Sequence, residues 1–454
     1  MIPYDNFSFF LWLLIPVIPA IIIGLAQASP KTRSLWIMHS SIGMLYLILK
    51  PQAFFVQAVI YFIWEYLVIW FYLRYRQSEK AKNSSLIFYL AVAGSLLPLI
   101  LVKLSPFFVP NVGATTAAFS GAKSLATQNL NHITQGVQKL SKTLTNTQIT
   151  ASSQMLSQFS KSIGQSASKP SQMTSPENTV LGFLGISYVS FRIIGTLIEI
   201  RDGLIKEVNL GNFISYVLFF PTLASGPIDR YRRFLSDLQR TITRQEYLIH
   251  FTEGLEYILR GFLYKFILAY LINQYMIIPL NHIHSLWATF RYMYTYSAYL
   301  FFDFAGYSAF AIGVSRFFCV KTPENFKVPF WSKNIKDFWN RWHISLSMWF
   351  RDYIYMRFVL DSAKKKRFNS RYTTSALGYL LLFLIMGIWH GIEWHYIVYG
   401  LYMAFLMIVF EYLERFNKKK HFWGDGKAWD MLARLITLQF TCFGLLIFSG
   451  RLLK

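Results

Sequence analysis

Acid and cysteine are scarce in this chain of 454 residues. It carries 22 Asp and Glu against 45 Lys and Arg, a formal charge of +23, and only two cysteines. Cys319 and Cys442 stand apart in or beside apolar segments, which excludes a disulfide framework and a cysteine metal site and argues against thiol chemistry. No carboxylate and histidine cluster has zinc-site spacing, and no Ser or Cys sits in a recognisable nucleophile elbow, so a metal or a covalent enzyme intermediate fits poorly. A basic excess of this size is one mark of a nucleic-acid binder. Here it is gathered in short loops, at Lys31 and Arg33, at Arg74, Arg76, Lys80 and Lys82, at Arg230, Arg232 and Arg233, at Lys364 to Arg367 and at Lys418 to Lys420. Short loops rich in Lys and Arg are kept cytoplasmic, so the charge records membrane topology and no nucleic acid is expected. The start, MIPYDNFSFFLWLLIPVIPAIIIGLAQ, lacks a basic stretch ahead of its apolar run and is read as a first span, not a cleaved signal.

What the chain does have is apolar length. It is 54% hydrophobic and 18% aromatic, with a mean hydropathy of +0.34, and several runs are long enough to cross ~30 Å of hydrocarbon as helices. The fold class is therefore all-α, a polytopic integral membrane protein of about 10–12 spans. Apolar segments fall near 8–27, 35–50, 53–73, 85–102, 181–200, 247–279, 286–315, 375–392, 395–414 and 432–450. Re-entrant or half-buried helices are expected at 209–224 and 325–358, because irregular backbone survives at membrane depth only when buried in protein or lining water. The basic loops put the N-terminus extracytoplasmic. Three regions follow: N-terminal membrane helices at 1–110, an extracytoplasmic insert at 111–176, and a core at 177–454. The insert is rich in Ser, Thr and Gln and holds five lysines and no acid. Within it Leu130, Ile133, Val137, Leu140 and Leu144 step as a helical seam does, and Met155, Leu156, Phe159 and Ile163 form a shorter one, which predicts two helices. Its lysines would attract a polyphosphate weakly and in a salt-dependent way, although a surface loop also accepts an idle insertion readily.

Polar residues inside FWNRWHISLSMWFRDYIYMRF, residues 338–358, call for a function or a structural excuse. On one continuous helix Asn340, His343, Ser347 and Arg351 would share a face, opposite Phe338, Trp342, Leu346, Trp349 and Tyr353. That face would line a polar cavity or, alternatively, hold a satisfied structural histidine among snorkelling arginines. Downstream, His390 ends a run of apolar and glycine residues in GIWHG, where Gly387 and Gly391 permit close approach of another helix or a substrate. A lone histidine there is commonly a hydrogen-bonded core residue, but two in one apolar chain favour chemistry. Asp303 and Tyr307 in FFDFAGYS are expected to be a buried hydrogen-bonded pair, and Asp229 with Arg230 in SGPIDR to pair across a tight turn.

FWNRWHISLSMWFRDYIYMRF, GIWHG and FFDFAGYSAFAIGVSRFF together resemble the signature of the membrane-bound O-acyltransferase (MBOAT) family. FLGISYVSFRIIGTLIEIRDGLIKE, PTLASGPIDRYRRF and GFLYKFILA are similar to its D-alanyl transfer branch, which serves teichoic acid D-alanylation in Gram-positive cell walls. The resemblance covers nearly the whole chain except the insert. It implies a fold of spans and re-entrant helices around a central funnel, and His343 and His390 as the functional positions. It also implies that D-alanine arrives as a thioester on the phosphopantetheine of a D-alanyl carrier protein and leaves as an ester on lipoteichoic acid outside the membrane, with help from an extracytoplasmic transfer protein. This chain itself would bind no cofactor and no metal. An imidazole with a pKa of about 6.5 suits proton removal from a hydroxyl acceptor at neutral pH. His390 is assigned that role, and His343 is expected to orient the thioester or steady charge on its oxygen. Asn340, Ser347 and Arg351 would line the substrate tunnel. Val359 and Leu360, with Lys364, Lys365, Lys366 and Arg367, would offer an acidic carrier a small apolar contact within a basic rim. Glu393 and His395, for all their closeness to His390, are not among the signature residues of the family and are read as having no part in the chemistry. Two other classes compete: an MBOAT moving acetyl groups onto an exopolysaccharide, and a proton-coupled transporter.

Overall fold

The structure, a computed structural model, describes residues 3–49, 52–78, 84–108, 185–283, 285–421, 423–424 and 426–453. Among these the regular structure is helical, with one isolated β-bridge. Residues 1–99 and 183–454 form one compact unit, so the N-terminal helices and the later core fold together. Residues 100–182 form a second, of which only the helical run to Phe108 is described. The two seams expected in the insert lie outside the described residues.

In chain order the helices are α1 (Phe7–Leu25), α2 (Pro30–Ile48), α3 (Gln52–Gln77), α4 (Ser85–Phe108), α5 (Ile186–Arg201), α6 (Leu210–Val217), α7 (Tyr231–Gln239), α8 (Arg244–Gly261), α9 (Leu286–Phe317), α10 (Ile335–Trp339), α11 (Ile344–Phe350), α12 (Met356–Lys364), α13 (Arg371–His390), α14 (Trp394–Lys420) and α15 (Lys427–Phe448). Seven of them, α1, α3, α4, α9, α13, α14 and α15, are long and apolar enough to cross a membrane. The chain is a multi-pass membrane protein. The remaining apolar runs are helical as well: α2 opens on Lys31 and Arg33, α5 has 16 residues, and α8 continues through π-helical turns at Phe262–Ala269 and Asn273–Ile277.

Helix α5 lies at the heart of the compact unit, buried without interruption from Val189 to Ile200. It carries Arg192 and Glu199 seven residues apart, two turns along one face. Arg192, 2% exposed, donates to the carbonyls of Tyr216 (3.2 Å), Val217 (2.9 Å) and Thr222 (2.7 Å). These belong to the end of α6 and to the 3₁₀ turn Phe220–Thr222, the broken segment expected at 209–224. A carbonyl stranded in an apolar interior costs several kcal/mol on transfer scales (roughly 2–7). One guanidinium satisfies three.

Glycines set the closest helix crossings. A Cβ on Gly400 of α14 would stand 2.4 Å from the Phe383 carbonyl oxygen of α13, and one on Gly387 would stand 2.6 Å from that of Tyr396. The α13–α14 pair that presents His390 is therefore packed backbone to backbone. We predict that Gly400→Ala lowers the thermal midpoint of the detergent-solubilised protein, at a cost of roughly 1–3 kcal/mol from overpacking against immovable backbone. Gly43→Ala, at a position with nothing within 4 Å, should leave the midpoint unchanged or slightly raised. Equal midpoints for the two variants would show that the crossing is looser than described.

Candidate active site

His343 does not lie within a helix. α10 ends at Trp339 with Asn340 as its C-cap, and α11 begins only after His343, which takes a left-handed conformation (φ 44°, ψ 52°). The break is imposed by pairing with the preceding segment. Phe326 and Trp342 form the β-bridge, the Lys327 amide donates to the Arg341 carbonyl (3.0 Å), and the Ile344 amide donates to the Asn325 carbonyl (2.9 Å). The continuous helix expected over 338–358 is thus corrected, and with it the single polar stripe. Asn340 is exposed, the Ser347 hydroxyl donates to the Trp342 carbonyl (3.1 Å), and Arg351 is exposed and bonded to Asp352 (2.8 Å). Only Ser347 stays next to His343, its amide donating to the His343 carbonyl (3.0 Å). The apolar half of the reading holds: Phe338, Trp342, Leu346, Trp349 and Tyr353 are all buried.

Asn325, fully buried, holds the His343 turn in place. Its carboxamide accepts from the Ser345 hydroxyl (2.6 Å) and donates to Ser308 on α9 (3.1 Å), while Ser345 in turn accepts from the Ile228 amide (2.9 Å). Four chain segments meet in that one network. The His343 ring stacks on Phe304 of α9, centroids 4.7 Å apart and tilted 30°, and its Nδ1 is buried with no hydrogen-bond partner among the described residues. A strained, positive-φ histidine with an open ring nitrogen is the kind of feature that clusters at functional sites.

His390, the last residue of α13, is half-buried in a cage of rings: Trp389 at 4.6 Å, Phe448 at 5.0 Å, Tyr396 at 6.0 Å and Tyr399 at 6.5 Å. The two imidazoles are seated on different aromatic walls. The walls are joined through α5, where Phe191 packs on Trp349 of α11 (4.6 Å) and on Trp389 (5.1 Å), and accepts the Trp349 indole N–H at its carbonyl (3.0 Å).

An ionic network borders this core. The Tyr353 hydroxyl donates to Glu199 (3.0 Å), which also meets Arg232 (3.4 Å). Asp229 takes Arg233 at both its oxygens, whereas Arg230 pairs with Asp352, so the expected Asp229–Arg230 side-chain pair is replaced by two others. Asp303 likewise pairs with Lys265 (2.6 Å) instead of Tyr307. The residues missed from sequence are Arg192, Glu199 and Asn325. Two charges seven apart within the apolar run of 181–200 were the available signal for the first two; Asn325 left none.

On α12, Met356, Leu360 and Lys364 share an exposed stripe, with Leu360 62% exposed. Val359 is half-buried against α13, where a Cβ on Gly378 would meet its methyl at 3.3 Å, so Leu360 alone is the apolar tip. Lys365, Lys366 and Arg367 follow, all exposed. Asp361 pairs with Lys365 (3.0 Å) and Arg367 (2.7 Å); the Lys365 hydrogen bond first, then Arg367, holds its carboxyl below the usual range. Both cysteines are buried thiols, and no metal-binding cluster occurs among the described residues.

The membrane-bound O-acyltransferase family model matches residues 123–448, and the chain belongs to that family. It is an acyltransferase. It is 42% identical to the teichoic acid D-alanyltransferase of Bacillus subtilis (strain 168), over 99% of this chain and 98% of that one, and 37% identical to the protein of that name from Lacticaseibacillus rhamnosus, over 100% and 98%. A probable alginate O-acetylase from Pseudomonas putida is 34% identical over 48% of this chain and 43% of its own.

We predict that Asn325→Ala, which removes the bridge beneath His343, lowers stability by about 1–3 kcal/mol per buried group left unpaired and lowers acyl transfer with it. An unchanged thermal midpoint and unchanged transfer would show that Asn325 does not hold the turn.

Proposed function

We propose that this acyltransferase moves D-alanine from the phosphopantetheine thioester of a carrier protein in the cytoplasm to a teichoic acid acceptor, lipoteichoic acid, on the outer side of the membrane. The observation that carries the reading is full-length similarity to teichoic acid D-alanyltransferases in a chain that holds a half-buried imidazole in an aromatic cage. The O-acetylase match covers only half the chain, which favours the aminoacyl reading over the acetyl one. The basic loops support an N-terminus outside, with α12 and its lysines on the cytoplasmic side.

His390 is the base. Its imidazole takes the proton of the acceptor hydroxyl as the oxygen bonds to the thioester carbonyl carbon; the C–S bond breaks, and the departing thiolate takes up the proton. Aromatic walls keep bulk water from competing as acceptor. His343, buried on Phe304, orients the thioester or donates to its carbonyl oxygen, a role in which loss of one donor costs ~10²- to 10³-fold in rate. Ser347 continues the tunnel beside it, with Asn340 and Arg351 at exposed positions on either side. The carrier protein docks on α12, its acidic face against Lys364, Lys365, Lys366 and Arg367 and an apolar contact on Leu360, while Val359 supports the helix from beneath. An extracytoplasmic transfer protein receives or presents the acceptor.

Two outcomes follow. His390→Ala should reach the membrane at normal levels and lose D-alanine transfer by at least ~10²-fold; near-normal ester on cells carrying it would remove His390 from the role of base. Leu360→Asp, or Lys364→Glu with Lys366→Glu, should weaken carrier binding at least ~10-fold while the thermal midpoint holds. Carrier binding unchanged at physiological salt would place the docking surface elsewhere.

A further inference from the structure

The relatives of this chain include enzymes named for an aminoacyl group and enzymes named for an acetyl group, and the two groups differ in one charge. D-Alanine carries an α-ammonium and acetate does not. That nitrogen is fixed by covalent geometry about 2.5 Å from the carbonyl carbon, so whatever recognises it lies within one side chain of the base. Aromatic faces favour a cation modestly, but a cage of Trp389, Tyr396, Tyr399 and Phe448 alone would also accept an uncharged acyl group. Discrimination calls for a carboxylate.

Glu393 fits that requirement. It stands in the turn between α13 and α14, three residues after His390, and its side chain folds back over Gly391, the residue that follows His390: a Cβ on Gly391 would lie 2.3 Å from its Oε2 and 2.5 Å from the Tyr396 ring. It occupies the N-cap position of α14, yet its side chain makes no capping hydrogen bond, so helix capping does not account for it. It enters no salt bridge among the described residues, in contrast to Glu411 and Glu414 on the same helix, which pair with Arg415 and with Lys336 and Lys418. Asp303, near His343 through its neighbour Phe304, is already taken by Lys265. Exposed, uncommitted and beside the Tyr396 ring, Glu393 completes an aromatic and anionic site of the kind that binds ammonium groups.

We propose that Glu393 receives the α-ammonium of the transferred aminoacyl group and so makes the enzyme select aminoacyl over neutral acyl donors. This rests on the D-alanyl reading above. The test uses the full-length protein in phosphatidylglycerol vesicles, with carrier protein loaded with D-alanyl-phosphopantetheine or with propionyl-phosphopantetheine, which replaces the ammonium by hydrogen and keeps the rest of the acyl group. Wild type should prefer the D-alanyl donor. Glu393→Gln should lower kcat/KM for D-alanyl transfer on the order of 10- to 100-fold, the range of one charge-assisted hydrogen bond, and leave propionyl transfer in place, so that the preference collapses; Glu393→Asp should restore part of it. Retained preference in Glu393→Gln, or equal loss of both donors, overturns the assignment. Wild-type vesicles that transfer propionyl but not D-alanine refute the D-alanyl reading itself, and the role of Glu393 with it.

Discussion

The structure depends on one constraint: in a membrane every backbone group that leaves regular helix must find a partner within the protein. Near its centre this chain leaves regular helix after Val217 and again between Phe317 and Ile344, where only the short α10 intervenes. Each break is met by one buried polar side chain. Arg192 gathers the carbonyls of the first, and Asn325 ties the second to α9, to Ser345 and through it to Ile228. Both residues act at turns in the interior, so the backbone and side-chain groups freed there keep partners within the protein. The left-handed turn at His343 is held by the same pairing that breaks the helix.

Around these two points the packing divides the work. Aromatic side chains fill the space between helices, and the Trp349, Phe191 and Trp389 series ties the segment bearing His343 to the helix bearing His390. Glycines then bring backbones together where rings would hold them apart, at Gly387 and Gly400 between α13 and α14 and at Gly254 and Gly313 between α8 and α9. The ionic network of Glu199, Asp229 and Asp352 with Arg230, Arg232 and Arg233 sits at the border of this core, where each charge keeps a partner.

Periodicity and composition made the helices legible: among the described residues all ten apolar runs are helical over most of their length, and the stretches 209–224 and 325–358 are broken into short helices and turns. The histidines were legible because charge-capable groups are rare in such runs. The helix through His343 was misread for a physical reason. Its residues have helical spacing on both sides of the turn, and the partner that interrupts it, Asn325 to Lys327, is contributed from 14 to 19 residues upstream by backbone hydrogen bonds, which leave no mark in side-chain pattern. The carbonyls that Arg192 binds are equally unmarked in sequence, and Asp229 and Asp303 pair with Arg233 and Lys265 in place of Arg230 and Tyr307. Glu393 could be located in sequence, but not that its side chain makes no capping hydrogen bond and no salt bridge among the described residues.

The central claim is that His343 and His390, seated on separate aromatic walls, serve one acyl transfer. An experimentally determined structure of the full-length protein with a carrier bearing a non-hydrolysable D-alanyl-phosphopantetheine tests it most directly. The account predicts the carbonyl carbon lodged between the two imidazoles, within reach of the His390 ring. A carbonyl resting outside the Trp389 and Phe448 cage, with both histidines still packed on their rings, would contradict it.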